Sequence, residues 1–184
     1  MKKRVAVVAL AVLLTAWSNA QTPNLIAAVQ SGTPLDVQAA IDEGADVNAV
    51  DGGLTPLEWA AYFNKNPEVI TTLLKAGANI EARDVRSGIG GTALGWAAYA
   101  NKSPEVIAAL LKAGADVEAR TEDDRNALSW AAQYNTPEVV LLLLNAGTDA
   151  KRKDKFGFSA LHYAKYNGSL KGTDALRQLE EASQ

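Results

Sequence analysis

Few side chains in this sequence could carry chemistry, and their spacing argues against it. The single histidine, His162, has no cysteine to share a zinc ion with, because the chain contains none, and a tetrahedral zinc site needs several such ligands. Gly88-Ile-Gly-Gly91 has the small residues of a phosphate-cradling loop and a helix start follows it, yet no strand precedes it and no Lys-Ser/Thr pair ends it. Asp123 and Asp124 offer carboxylates to calcium, but further oxygen ligands at fixed spacing are missing. An enzyme needs a nucleophile with a base, an acid–base pair or a metal; the residues therefore predict no catalytic centre, no cofactor and no metal.

The elements that would position any site begin after a distinct N-terminal stretch. Met1, Lys2, Lys3 and Arg4 precede an apolar run from Val5 to Ala16, followed by Trp17, Ser18, Asn19 and Ala20. Such a run is too short for the roughly 20 residues that cross a bilayer, and Ser18 and Ala20 are small enough for a cleavage site. The stretch reads as a secretory signal peptide over residues 1–20, cleaved after Ala20, with an uncleaved anchor as the alternative. Lipid attachment would need a cysteine thiol. The same lack of cysteine leaves apolar packing to stabilise an exported domain. Removing Lys2, Lys3 and Arg4 lowers the basic count from 18 to 15 against 21 acidic residues, a formal charge of −6 in place of −3. An acidic surface repels a phosphate backbone, so nucleic acid is not an expected partner.

The rest of the chain repeats. Thr55-Pro-Leu-Glu-Trp-Ala-Ala61, Thr92-Ala-Leu-Gly-Trp-Ala-Ala98, Asn126-Ala-Leu-Ser-Trp-Ala-Ala132 and Ser159-Ala-Leu-His-Tyr-Ala164 start 37, 34 and 33 residues apart, and Gly44, Gly77, Gly114 and Gly147 recur behind them. Thr22-Pro23 marks a first, degenerate unit. Each unit reads as helix, tight turn, helix and extended loop. The first helix should stop at Asn64, Asn101, Asn135 or Gly168, types that tolerate a left-handed backbone. The second should open at Thr33-Pro34, Asn66-Pro67, Ser103-Pro104 or Thr136-Pro137, where a side chain caps the first turn and proline takes a position whose amide is unused. Val69, Ile70, Leu73 and Leu74, matched by Val106, Ile107, Leu110 and Leu111, give the second helices one apolar face. No such unit can bury that face alone, so neighbours must stack.

These motifs make the chain resemble the ankyrin-repeat family, which repeats every 33 residues or so around T-P-L-H-x-A. The family's G-A-D-V-N-A segment is present as Gly44-Ala-Asp-Val-Asn-Ala49 and, varied, at Gly77 and Gly114. The resemblance covers essentially everything after residue 20. It implies an all-α solenoid of about five helix-turn-helix repeats with finger loops, over residues 22–54, 55–91, 92–125, 126–158 and 159–184. His162 falls where the family has a structural histidine that hydrogen-bonds a neighbouring loop. The finger between Gly77 and Thr92 is three or four residues longer than its equivalents, the extra length lying within Val85 to Gly90. Thr173 to Glu181, polar on its outer side, suits a terminal cap.

The aromatic residues fall in register. Trp59, Trp96, Trp130 and Tyr163 share one position and should pack between first helices. Tyr62, Phe63, Tyr99, Tyr134 and Tyr166 sit one turn on, at positions resembling the variable, exposed ones of the family, and tyrosine is a frequent hot-spot residue. We read these five as partner-binding, with Arg86, Glu122, Asp123, Arg125, Lys155 and Phe156 of the fingers; the sign change from the acidic tip to Lys151, Arg152, Lys153 and Lys155 would orient a partner. The resemblance thus implies a monomeric, non-enzymatic protein-binding module, exported to the periplasm and free of the membrane after leader cleavage. Inhibition of a toxic enzyme, as by an immunity protein, and support of a stress protein both remain open. So do a small-ligand binder or enzyme using the 85–91 loop, and a structural spacer.

Overall fold

The computed structural model describes residues 24–83 and 91–184. The predicted leader, Thr22-Pro23, Arg86 and the finger extension lie outside them. Among the described residues ten α-helices follow in chain order: α1 (Leu25–Ser31), α2 (Pro34–Asp42), α3 (Pro56–Phe63), α4 (Pro67–Lys75), α5 (Ala93–Ala100), α6 (Pro104–Lys112), α7 (Ala127–Tyr134), α8 (Pro137–Asn145), α9 (Ala160–Ala164) and α10 (Asp174–Ala182), with a 3₁₀ turn (Gly168–Leu170) before the last. Odd-numbered helices pack on odd, and even on even, giving five two-helix units stacked side by side. The all-helical solenoid expected from the repeats is what forms. Among the described residues, no helix is long and apolar enough to cross a membrane.

Local chemistry sets the helix starts. Thr55 Oγ1 accepts from the Glu58 amide at 3.3 Å while the Glu58 carboxylate accepts from the Thr55 amide at 2.7 Å, a reciprocal cap that Thr33 and Asp36 repeat. Asn66 caps α4 through the Glu68 amide. Ser103 and Thr136, expected to do the same, form no side-chain cap; the Ser103 hydroxyl turns instead to the Glu105 carboxylate at 2.6 Å. Gly44, Gly77, Gly114 and Gly147 close the second helices at φ between 89° and 95°, a left-handed geometry that a Cβ would strain.

The core runs continuously through the stack. Val69, Ile70 and Leu73 of α4 and Val106, Ile107 and Leu110 of α6 are fully buried. The first helices meet through alanine pairs, Ala60 and Ala61, Ala97 and Ala98, Ala131 and Ala132, all buried. Small side chains at these contacts leave little between neighbouring odd helices. α10 buries Ala175 and Leu179 and turns Arg177, Glu180 and Glu181 to solvent, as a cap should.

The asparagines after the first helices have a different role from the one expected. Asn64, Asn101 and Asn135 are extended, not left-handed. Each sends its amide back into the preceding unit. Asn64 Nδ2 donates to the Val29 and Gly32 carbonyls, both at 3.1 Å. Asn101 donates to Ala61 and Asn64 at 2.9 and 2.8 Å, and Asn135 to Ala98 and Asn101 at 2.8 and 3.0 Å. In the last unit Asn167, not Gly168, holds this place and donates to Ala132 and Asn135. These carbonyls end helices and lack intrahelical donors, so one buried side chain satisfies the previous helix and fixes the spacing between units.

Asn101→Ala strands two buried carbonyls and is expected to lower the unfolding free energy by about 2–3 kcal/mol. Urea titration followed by far-ultraviolet circular dichroism measures it; exposed Lys65→Ala should change it by less than about 0.5 kcal/mol.

Candidate protein-binding face

The odd helices α3, α5 and α7 carry a continuous set of aromatic residues. Trp59, Trp96 and Trp130 sit at the same helical position, and their neighbours one turn on interleave with them. Tyr62 lies edge-on to Trp96 at a centroid distance of 5.5 Å, and Tyr99 edge-on to Trp130 at 5.4 Å. Phe63 stacks on Trp59 at 5.6 Å and meets Tyr62 at 4.4 Å. Tyr99 meets Tyr134 at 5.2 Å. The rings thus run unbroken from the second unit to the fourth, in the offset and edge-to-face contacts that aromatic quadrupoles favour.

Burial sorts them into support and surface. Trp96 and Trp130 are buried and Trp59 half-buried, so the column packs between helices as expected. The Trp59 indole donates to the Asp51 carbonyl at 3.1 Å; the Trp96 and Trp130 N–H groups are buried without an acceptor among the described residues. Phe63, Tyr134 and Tyr166 are 49%, 46% and 77% exposed, while Tyr62 and Tyr99 are half-buried with accessible edges. Tyr166 stands apart and meets His162 at 5.5 Å, while the other four predicted aromatics, Tyr62, Phe63, Tyr99 and Tyr134, lie against the tryptophan column. Beside them lies a shallow recess of about 330 Å³, lined by Leu54, Trp59, Tyr62, Phe63, Trp96 and Tyr99.

The finger residues are less uniform. Glu122 and Lys155 are exposed, Asp123 partly so, and the Lys155 amide donates to the Asp123 carbonyl at 3.0 Å, tying the two fingers together. Phe156 is exposed at the next tip. Arg152, which the sequence groups with the basic tip, is paired to Glu118 at 2.9 Å. Arg125 departs most from expectation: it is only 7% exposed and does not stand at the tip. Its guanidinium lies 3.5 Å from the Trp130 ring centroid and 4.1 Å from that of Tyr163, and donates to Gln133 Oε1 at 2.5 Å and the Ser129 carbonyl at 3.3 Å. Ring faces stabilise a planar cation that has lost its water.

That sandwich continues into a polar cluster that sequence reasoning missed. The Tyr163 hydroxyl donates to Asp154 Oδ2, and Asp154 Oδ1 accepts from the Phe156 and Phe158 amides, both at 2.9 Å. Burial, then the bond to Asp154, pushes the Tyr163 hydroxyl up to about 12, against the opposing pull of Arg125. Burial also acts to raise the Asp154 carboxyl, but its hydrogen bonds from Tyr163 and the two amides, with the Arg125 charge, outweigh that and hold it below the ordinary carboxylate range. His162 was expected to hydrogen-bond a loop; it stacks instead on Phe158, centroids 4.0 Å apart. Lys102 is a further unpredicted contact, its ammonium donating to the Tyr134 carbonyl at the rim.

Compared with known families, the chain matches a model described as ankyrin repeats (3 copies) over residues 8–84 and 88–183, the first match reaching into the apolar stretch read above as a leader. No curated protein matches it.

A tyrosine whose folded-state proton affinity is raised contributes stability that is complete below its unfolded value near 10 and is lost as pH rises toward 12. Melting temperature should therefore fall through that window. Tyr163→Phe should flatten the fall and remove the last tyrosine to ionise in an absorbance titration at about 295 nm.

Proposed function

Since this chain belongs to the ankyrin-repeat family, whose repeats serve as protein-binding modules, we propose that it acts by binding another protein through the aromatic face of its odd helices, and not by catalysis. The observation that carries this reading is the layering of that face. Exposed Phe63 and Tyr134, with half-buried Tyr62 and Tyr99, rest on the tryptophan column, and Arg125 packs on Trp130 within it, so the contact surface is ordered before a partner arrives; exposed Tyr166 extends it at the last unit. Rigid, amphipathic rings lose little entropy on binding, which is why tyrosine and tryptophan dominate hot spots. The tied finger tips, with Glu122 and Asp123 on one and Lys155 and Phe156 on the next, add a charge sign change along the edge of the same surface and would set the partner's orientation.

The place of action we propose is the periplasm. Lys2, Lys3 and Arg4, the apolar run to Ala16, and Ser18 and Ala20 support export by a cleaved leader. In that compartment a monomer with a preformed binding face would block or shield its partner, as an immunity protein blocks a toxic enzyme or a protective protein shields a stress enzyme.

Capture from periplasmic extract tests the surface. Tyr99→Ala with Tyr134→Ala is expected to weaken binding by about tenfold or more, the scale of truncating hot-spot tyrosines, with circular dichroism melting as the control for folding. Undiminished capture by the double variant would overturn the assignment. Mass spectrometry of the exported chain should find Gln21 at its N-terminus; an intact Met1 on the exported protein would remove the leader.

A further inference from the structure

The recess between Trp59 and Trp96 occupies the same place in the second unit as the Arg125 sandwich does in the fourth. In each unit the residue just before the helix cap stands five positions ahead of the tryptophan: Leu54 before Trp59, Gly91 before Trp96, Arg125 before Trp130, and Phe158 before Tyr163. In the fourth unit this position fills the slot between its own ring and that of the next unit, because the arginine is long enough to lay its guanidinium on Trp130 and Tyr163. In the second unit Leu54 is buried at the base and stops short. Tyr62, in the place of Gln133, forms one wall against Trp96, and Phe63 and Tyr99 form the rim. What remains is an open recess with aromatic walls, in which no cationic side chain stands among the described residues.

We infer that this recess receives an arginine side chain from the protein partner, which supplies in trans the guanidinium that Arg125 supplies in cis two units away. The inference rests on the binding reading above and names its central contact. Two observations favour a cation over an apolar side chain. Five of the six side chains that line the recess are aromatic, and aromatic rings attract cations through their quadrupoles. The chain carries a formal charge of −3, rising to −6 without the leader's basic residues, which favours a basic partner. Arginine suits the slot better than lysine because its flat head can stack on a ring while its edge donates hydrogen bonds.

The test needs no knowledge of the partner. The purified chain, labelled with ¹⁵N, is titrated with three capped tripeptides, Gly-Arg-Gly, Gly-citrulline-Gly and Gly-Leu-Gly. Citrulline keeps the shape of arginine and removes its charge. The arginine peptide should shift the Trp59 and Trp96 indole signals saturably, with a midpoint about five- to thirtyfold below those of the other two, the span expected between exposed and desolvated cation–π contacts. Equal midpoints for all three, or no saturable shift with arginine, would overturn the inference. Leu54→Arg should fill the recess from within and abolish the response with the helical spectrum intact. Should that variant not fold, exposed Phe63→Ala removes part of the rim and should weaken the arginine response at least about threefold; an unchanged response to a folded variant of either kind counts against the site. Capture of a partner that depends on Tyr99 and Tyr134 but is indifferent to Leu54→Arg would overturn this inference and leave the binding reading standing.

Discussion

Each unit of the stack is joined to the one before it by an asparagine carboxamide, buried at Asn64, Asn101 and Asn135 and half-buried at Asn167. Asn64, Asn101, Asn135 and Asn167 donate backward to carbonyls at the ends of α1, α3, α5 and α7, and each accepts on its oxygen from an amide at the start of the segment that follows, as Asn66 and Ser103 show at 2.9 and 3.0 Å. A helix end buried without donors would cost about 1–3 kcal/mol per stranded carbonyl, so units cannot slide or separate without losing these bonds. A second ladder runs along the finger bases: Asn48, Glu81 and Glu118 accept from the amides of Asn79, Asp116 and Asp149 in the next unit. The two ladders hold the stack at separate heights, which resists twisting of one unit on the next.

The aromatic face is a consequence of that fixed spacing. Alanines at the contacts between odd helices leave little distance to span, so a ring from one unit reaches the tryptophan of the next, as Tyr62 reaches Trp96 and Tyr99 reaches Trp130. The same geometry creates slots between successive ring positions. Whether a slot is filled depends on the one residue before the helix cap. Arginine fills it in the fourth unit, and leucine leaves it open in the second. A surface assembled this way is supported from beneath and can vary from unit to unit without disturbing the core.

Several features were legible from residues alone because they follow from local chemistry. Proline at the first helical position and glycine behind the helix fix α2, α4, α6 and α8 at residues the repeat pattern identifies, with a side-chain cap added at α2 and α4. Periodicity also placed the tryptophan column and the exposed tyrosines. The errors have one source. Asn64 and its equivalents read as left-handed helix stops, and Gly168 as the last of them, because recurrence reveals that a residue matters without showing where its side chain goes. Arg125, in a run with Glu122, Asp123 and Asp124, reads as a solvated tip; only the arrival of Tyr163 from the next unit turns it inward.

The sequence by itself determined the number of units, the boundaries of most helices and which positions are apolar, since each of these is set within a window of a few turns. Tertiary structure decided which polar residues are buried, which rings touch and where a recess is left. Those outcomes depend on pairs of atoms more than thirty residues apart in the chain, brought within hydrogen-bond or stacking distance only when neighbouring units close on one another.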